Sequence, residues 1–213
     1  MVTIPDSVVA RQAEAYLRRT SPDHLVNHCL RSYLWAAGVA ALDGVRYDAE
    51  LLFVSAALHD LGLLDEFDLG NPFEVDGAWA ATEFASEHGW DEVRSAVVGD
   101  AVARHVAADM HLEDGPEAYL LWHGTGVDVY GSRVSELDTS FVSAVLKEYP
   151  RHGFQDGFAA LFQQQATAKP LSRAAELVGN GLLNRLAGCP LDQGPSSSAA
   201  TSPPGCRGSD VRR

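Results

Sequence analysis

Four places in this chain carry side chains that can hold a metal ion or move protons: His28, the adjacent pair His59 and Asp60, His105, and the segment "HGTGVDVYG" with His123 and Asp128. Neutral imidazole and carboxylate suit zinc, iron, manganese and related divalent ions. Histidines on separate helices can converge on such a site in a helical bundle. His59 and Asp60 follow the apolar run Phe53–Leu58, where two polar side chains are costly unless partnered. Adjacent residues on a helix diverge by about 100°. The pair can therefore share one ion only at a helix end or distortion, which Gly62, two residues on, permits. Each residue also has a plainer reading: an Asp–His hydrogen bond at a helix end, a satisfied core histidine at position 28, a helix cap at Asp128.

The elements that must position these groups are helices. Leu25, Cys29, Leu30, Tyr33, Leu34, Ala37 and Val39 form a broad apolar face with 3–4 spacing. "SPDH" offers Ser21 as its N-cap and Pro22 as its first residue. Asp48 caps "AELLFVSAALHDLG". "NPFEVDGAWAATEFASEHG" is the next helix, with Asn71 as cap, Pro72 first and Gly89 as terminator. "DEVRSAVVGDAVARHV", "PEAYLLWHGTGVDV", "SELDTSFVSAVLKEYP", "FQDGFAALFQQQATA" and "SRAAELVGNGLLNRLAG" each read as one shorter helix. No run alternates with period two between turn signals, so the expected class is all-α. The expected organisation is an N-terminal helix over positions 1–20 packed on the core, one domain over 21–189, and a tail over 190–213. That tail is rich in Ser, Pro and Gly and is expected to be disordered.

The chain has 213 residues, 46% of them hydrophobic, enough for one domain with a full core. Its formal net charge of -13 repels phosphate backbones, so nucleic acid is not an expected partner. Cys29, Cys189 and Cys206 form no C-x-x-C pair, which excludes zinc-ribbon and thioredoxin-type motifs and fits a reducing cytoplasm. No signal peptide and no membrane span is expected. The apolar helix faces admit a homodimer. P-loop, G-x-S-x-G and H-E-x-x-H motifs are absent.

The ordered set "NHCLRSY", "ALHDLG" and "GVDVYG" resembles the HD superfamily of metal-dependent hydrolases, whose pattern is H…HD…D. The resemblance runs from about Asp23 to Asp138. It implies a helical bundle and places metal-ligand roles on His28, His59, Asp60 and Asp128. "FEVDGAWAATEF", the following "HGW" and "GTGVDVYG" look like the cyanamide hydratase branch, whose members hydrate a nitrile with a metal-bound water. The resemblance also puts a substrate-facing or supporting histidine near His105; the plainer reading is a histidine favoured by the helix C-terminus.

The implied activity is a metal-dependent hydratase or hydrolase acting on a cyanamide- or nitrile-like small molecule. It would use one divalent ion, zinc first, with iron or manganese as alternatives. Asp60 or Asp128 would accept the water's proton, and His105 would protonate the nitrile nitrogen. Arg31, on the same face as His28, would orient a carboxylate or the substrate, or else form a surface or structural salt bridge. Two departures from the wider family favour a single ion and weaken a phosphatase: no lysine follows "HD", and Glu74 stands where two-metal members carry another histidine. Glu74 itself remains a possible carboxylate ligand for a second ion.

Two alternatives follow. A phosphohydrolase would need convergent cations, for which Arg31 and Arg104 are the candidates near the motifs. An inactive binding module would have no use for an intact H…HD…D set. Asn27 and Asp76 are either site or structural residues. His24, His88, His111 and His152 are expected in solvent, His123 in a structural role, and the four tryptophans in the core or a pocket wall.

Overall fold

Every residue from His28 to Ala40 is buried, which makes α2 (Asp23–Asp43) the central helix of the molecule. A computed structural model describes residues 2–192. Around α2 stand α1 (Val8–Thr20), α3 (Ala49–Leu58), α4 (Phe73–Glu87), α5 (Glu92–Arg104) and α6 (Pro116–Tyr130). The C-terminal part adds α7 (Thr139–Glu148), α8 (Phe154–Ala168), α9 (Arg173–Gly179) and α10 (Leu182–Ala187). The described residues form helices and connecting turns without a strand, so the all-α expectation holds. None of these helices is long and apolar enough to cross a membrane.

Local chemistry sets most helix boundaries. Asp48, Asp91 and Asp138 each accept hydrogen bonds from backbone N–H groups of the first turn of α3, α5 and α7. Ala10, Ala13 and Leu17 lie at 3–4 spacing and seat α1 on the core.

Three expected boundaries shift. Ser21 closes α1 rather than opening α2: its N–H donates to the Leu17 carbonyl, and Pro22, extended at ψ 153°, takes the cap. Asn71 likewise yields the cap of α4 to Pro72, while its side chain donates to Asp76. The single helix expected over 172–188 is two, because Gly181 adopts a left-handed conformation at φ 84° and starts α10 afresh. The compositional boundary at 190 also moves. Pro190–Asp192 form a 3-10 turn, and Asp192 accepts two hydrogen bonds from Arg151. Positions 193–213, with Cys206, lie outside the described residues.

Two apolar clusters result. The larger spans α1 to α6 around Trp35, Phe53 and Leu58. The smaller joins Phe73, Phe154, Phe158, Phe162, Leu177 and Leu182. The histidines and aspartates of interest sit between them.

Candidate metal centre

α3 ends at Leu58, and the Ala56 carbonyl in its last turn aims the His59 ring. His59 keeps helical geometry at φ -62° and ψ -29°. Asp60 leaves it, at φ -104° and ψ 8°, and a 3-10 turn over Leu61–Leu63 follows. This change of direction lets two adjacent side chains reach one point, as the sequence requires of a shared site. Gly62 acts differently from the expectation. Its φ is not left-handed; a Cβ there would run into the Phe73 carbonyl and the Gly77 N–H of α4. The residue lets α4 lie directly on the turn that carries the pair.

His28, from the centre of α2, meets them. His28 Nε2 lies 3.2 Å from His59 Nε2 and 3.3 Å from Asp60 Oδ2, and His59 Nε2 lies 3.2 Å from the same oxygen. All three side chains are about 1% exposed.

The ring tautomers follow from the outer partners. His59 Nδ1 donates to the Ala56 carbonyl at 2.8 Å, and His28 Nδ1 donates to Asp128 Oδ2 at 2.7 Å. In the neutral form that a metal requires, both rings would present Nε2 lone pairs to each other and to a carboxylate oxygen. Asp60 Oδ2 has no hydrogen-bond donor, a costly state for a buried anion. A positive charge at the centre of this triangle resolves the conflict. A tetrahedral ion at about 2.0–2.1 Å from N and O donors spaces them about 3.3–3.4 Å apart. The triangle thus fits one divalent ion, and three protein donors leave an open position for water or substrate.

Burial presses the His28 imidazolium down, but its bonds to Asp128 and Asp60 outweigh this and raise its pKa. Burial pushes the Asp60 carboxyl up, and the surrounding histidines more than reverse that.

Asp128, expected as the fourth ligand, stands behind His28 instead. It lies within α6 and is no helix cap. Its Oδ1 accepts from Arg31 Nε at 2.7 Å and Trp35 Nε1 at 2.8 Å. Its Oδ2 accepts from His28 Nδ1 and Arg31 Nη2. Arg151 donates to its backbone carbonyl at 2.6 Å. With both oxygens engaged, Asp128 fixes the His28 ring rather than adding a donor to the triangle.

Of the roles expected of Arg31, the structure shows the carboxylate one. The residue is fully buried, paired in fork fashion with Asp128, and its Nη1 donates to the Tyr149 and Pro150 carbonyls. It does not reach the cavity and acts as a positioning residue.

The triangle forms the floor of a cavity of about 680 Å³ that reaches the surface beside α9 and α10. His105, the C-cap of α5, also lines it. Its Nδ1 donates to the Val102 carbonyl at 2.5 Å, so its Nε2 faces Asp60 Oδ1 at 3.5 Å. It is near enough to the triangle to serve the chemistry without belonging to it.

Other expectations divide. His123 packs edge-on against Tyr119 and Trp122 and also lines the same cavity, and burial lowers its pKa. His24 is partly buried against Gly157 and its Nε2 lacks a partner. His88 is half-buried and stacks on Phe84. His111 and His152 are exposed as expected. Asn27 donates to the Pro150 carbonyl, and Asp76 holds the turn at Leu69 and Asn71; both are structural.

Glu74 stands outside the only metal-competent group found among the described residues. Arg104 pairs with Asp100 and Asp114 away from the cavity, so neither arginine named for a phosphate site reaches it. Trp35 is buried and Trp122 walls the cavity, whereas Trp79 is 58% exposed. Arg133, Arg173 and Arg185 line the cavity and escaped the sequence reading, because no motif contains them.

No family model matches this chain. It is similar to two proteins of Saccharomyces cerevisiae, cyanamide hydratase DDI2 and cyanamide hydratase DDI3. Each is 23% identical over 182 residues, which covers 83% of this chain and 81% of the relative.

Proposed function

We propose that this protein is a metal-dependent hydratase that adds water to a nitrile-type small molecule, with cyanamide the first candidate. One observation carries the proposal: three donor atoms, two of them imidazole nitrogens, converge within 3.3 Å at the buried floor of an open cavity. The similarity to two cyanamide hydratases supports the choice of reaction.

His28, His59 and Asp60 would hold one divalent ion, zinc on this N, N, O donor set, with iron or manganese as alternatives. When bound, such an ion lowers the pKa of a water toward neutrality and polarises a nitrile.

The chain's own groups do the rest. Asp128 and the Ala56 carbonyl fix the two imidazoles in the tautomer that leaves Nε2 free to ligate. The Val102 carbonyl does the same for His105, which lines the cavity with its Nε2 left to exchange protons with substrate. It takes a proton as the water oxygen forms its bond to the nitrile carbon. It returns a proton to the nitrile nitrogen, and tautomerisation of the resulting imidic acid gives the amide. For cyanamide the product is urea, and water and nitrile are consumed one for one.

The test is urea formation from cyanamide by the metal-loaded protein, with His105→Gln beside the wild type. The expected result is turnover by the wild type and a loss of about 10²–10⁴ in kcat in the variant, with its metal content retained. Metal-loaded wild type that forms no urea would overturn cyanamide as substrate. An unimpaired His105→Gln would remove His105 from the mechanism.

A further inference from the structure

We infer that the substrate this site is shaped for is larger than cyanamide: an apolar body of aromatic size carrying an anionic group at the end far from the nitrile. The inference rests on the hydratase reading above. Cyanamide has three heavy atoms, whereas the cavity measures about 680 Å³. Cavities of roughly 300–1,000 Å³ enclose drug-sized molecules.

The walls say what fills the space. Val129, Phe158, Phe162, Leu177 and Leu182 line the cavity, and each is buried to at least nine-tenths. Such walls give water few partners and an apolar body many contacts.

The open end differs. Three arginines border it, and two are neutralised from within. Arg133 pairs with Asp43 and Glu136. Arg173 pairs with Glu176 and donates to the Val106 carbonyl. Arg185 has neither an acidic partner nor a side-chain hydrogen bond among the described residues. Its guanidinium lies 4.3 Å from the centroid of the Tyr130 ring, a stacking that holds the cation over the cavity wall. In a chain of net charge -13, this unpaired cation is a local reversal that attracts an anion to the mouth. The cavity therefore brings together the ligand triangle, a largely apolar wall interrupted by His123, Thr125, Ser132 and Asn180, and the exposed Arg185 cation.

The experiment compares cyanamide, benzonitrile and para-cyanobenzoate as substrates of the metal-loaded full chain, wild type and Arg185→Leu. Alongside, calorimetry measures binding of benzamide and para-carbamoylbenzoate. The expected order of kcat/KM is para-cyanobenzoate, then benzonitrile, then cyanamide. Arg185→Leu is expected to lower kcat/KM for para-cyanobenzoate about tenfold more than for benzonitrile, through KM. Hydration of cyanamide with neither aromatic nitrile accepted would overturn the inference and leave the hydratase reading intact. Equal effects of Arg185→Leu on both aromatic nitriles would also overturn it. If no nitrile reacts, para-carbamoylbenzoate that binds more tightly than benzamide, and loses this advantage in Arg185→Leu, sustains the pocket assignment while the hydratase reading falls.

Discussion

Asp128→Asn is expected to destabilise the fold by about 3–5 kcal/mol, the usual consequence of removing one partner of a buried ion pair. The variant keeps the shape of the side chain and deletes its charge. Arg31 then stays buried with no counter-ion at its fork, and the asparagine amide presents N–H groups to a site surrounded by donors from Arg31, Trp35 and His28. Loss of the His28 Nδ1 partner frees that ring to turn, so metal retention should fall with stability.

The pH dependence has a definite sign. Burial raises the Asp128 carboxyl, but Arg31 and His28 reverse this and hold its pKa well below the ordinary carboxylate value. Its stabilisation is therefore fully present above about pH 4 and is lost as pH falls through the folded value. Urea titrations should show the largest gap between wild type and Asp128→Asn above pH ~4, and the gap should narrow in acid. A gap that does not depend on pH would show that the carboxylate charge is not what the variant removes.

Gly124→Ala is expected to cost about 3 kcal/mol or more, at the upper end of overpacking effects. α6 crosses α2 at this glycine, and an added Cβ would meet the Ser32 carbonyl and lie 2.9 Å from the Ala36 Cβ. The first obstacle is backbone, so no rotamer change relieves it. The helices must separate. Gly124 stands one turn before Asp128 on α6, and Ser32 one turn after His28 on α2, so separation pulls the Asp128 carboxylate off the His28 ring. Thermal unfolding and metal content should fall together. Gly126→Ala, whose Cβ would come no closer than 3.8 Å to any neighbour, is the matched control. Equal stability of the two variants would refute the close crossing.

The helical class was legible because local signals carry it, and so was the place of His59 and Asp60 at a helix end; the meeting with His28, 31 residues away on another helix, was an expectation of the family resemblance alone. An apolar run ends at the histidine and aspartate, and the geometry of a helix end does the rest. The role of Asp128 was not legible, since its partners Arg31 and Trp35 are 97 and 93 residues away and only the packing of α6 on α2 brings them together. The same holds for Gly62: its sequence context suggests a helix terminator, whereas its necessity comes from the backbone of α4. The arginines at the cavity mouth sit beyond any motif, on α9, α10 and the turn after α6. The break between α9 and α10 hinges on a left-handed glycine inside an otherwise helical pattern, where composition alone favours one continuous helix.

The most direct test of the central claim is the divalent metal content of the purified chain, measured by elemental analysis on the wild type and on His59→Ala, with circular dichroism to confirm helix content. About one equivalent per chain in the wild type, lost in a variant that keeps its helices, is the expected result. A wild type that takes up no zinc, iron or manganese even after reconstitution, or a His59→Ala protein that binds the same amount, would contradict a metal held by His28, His59 and Asp60.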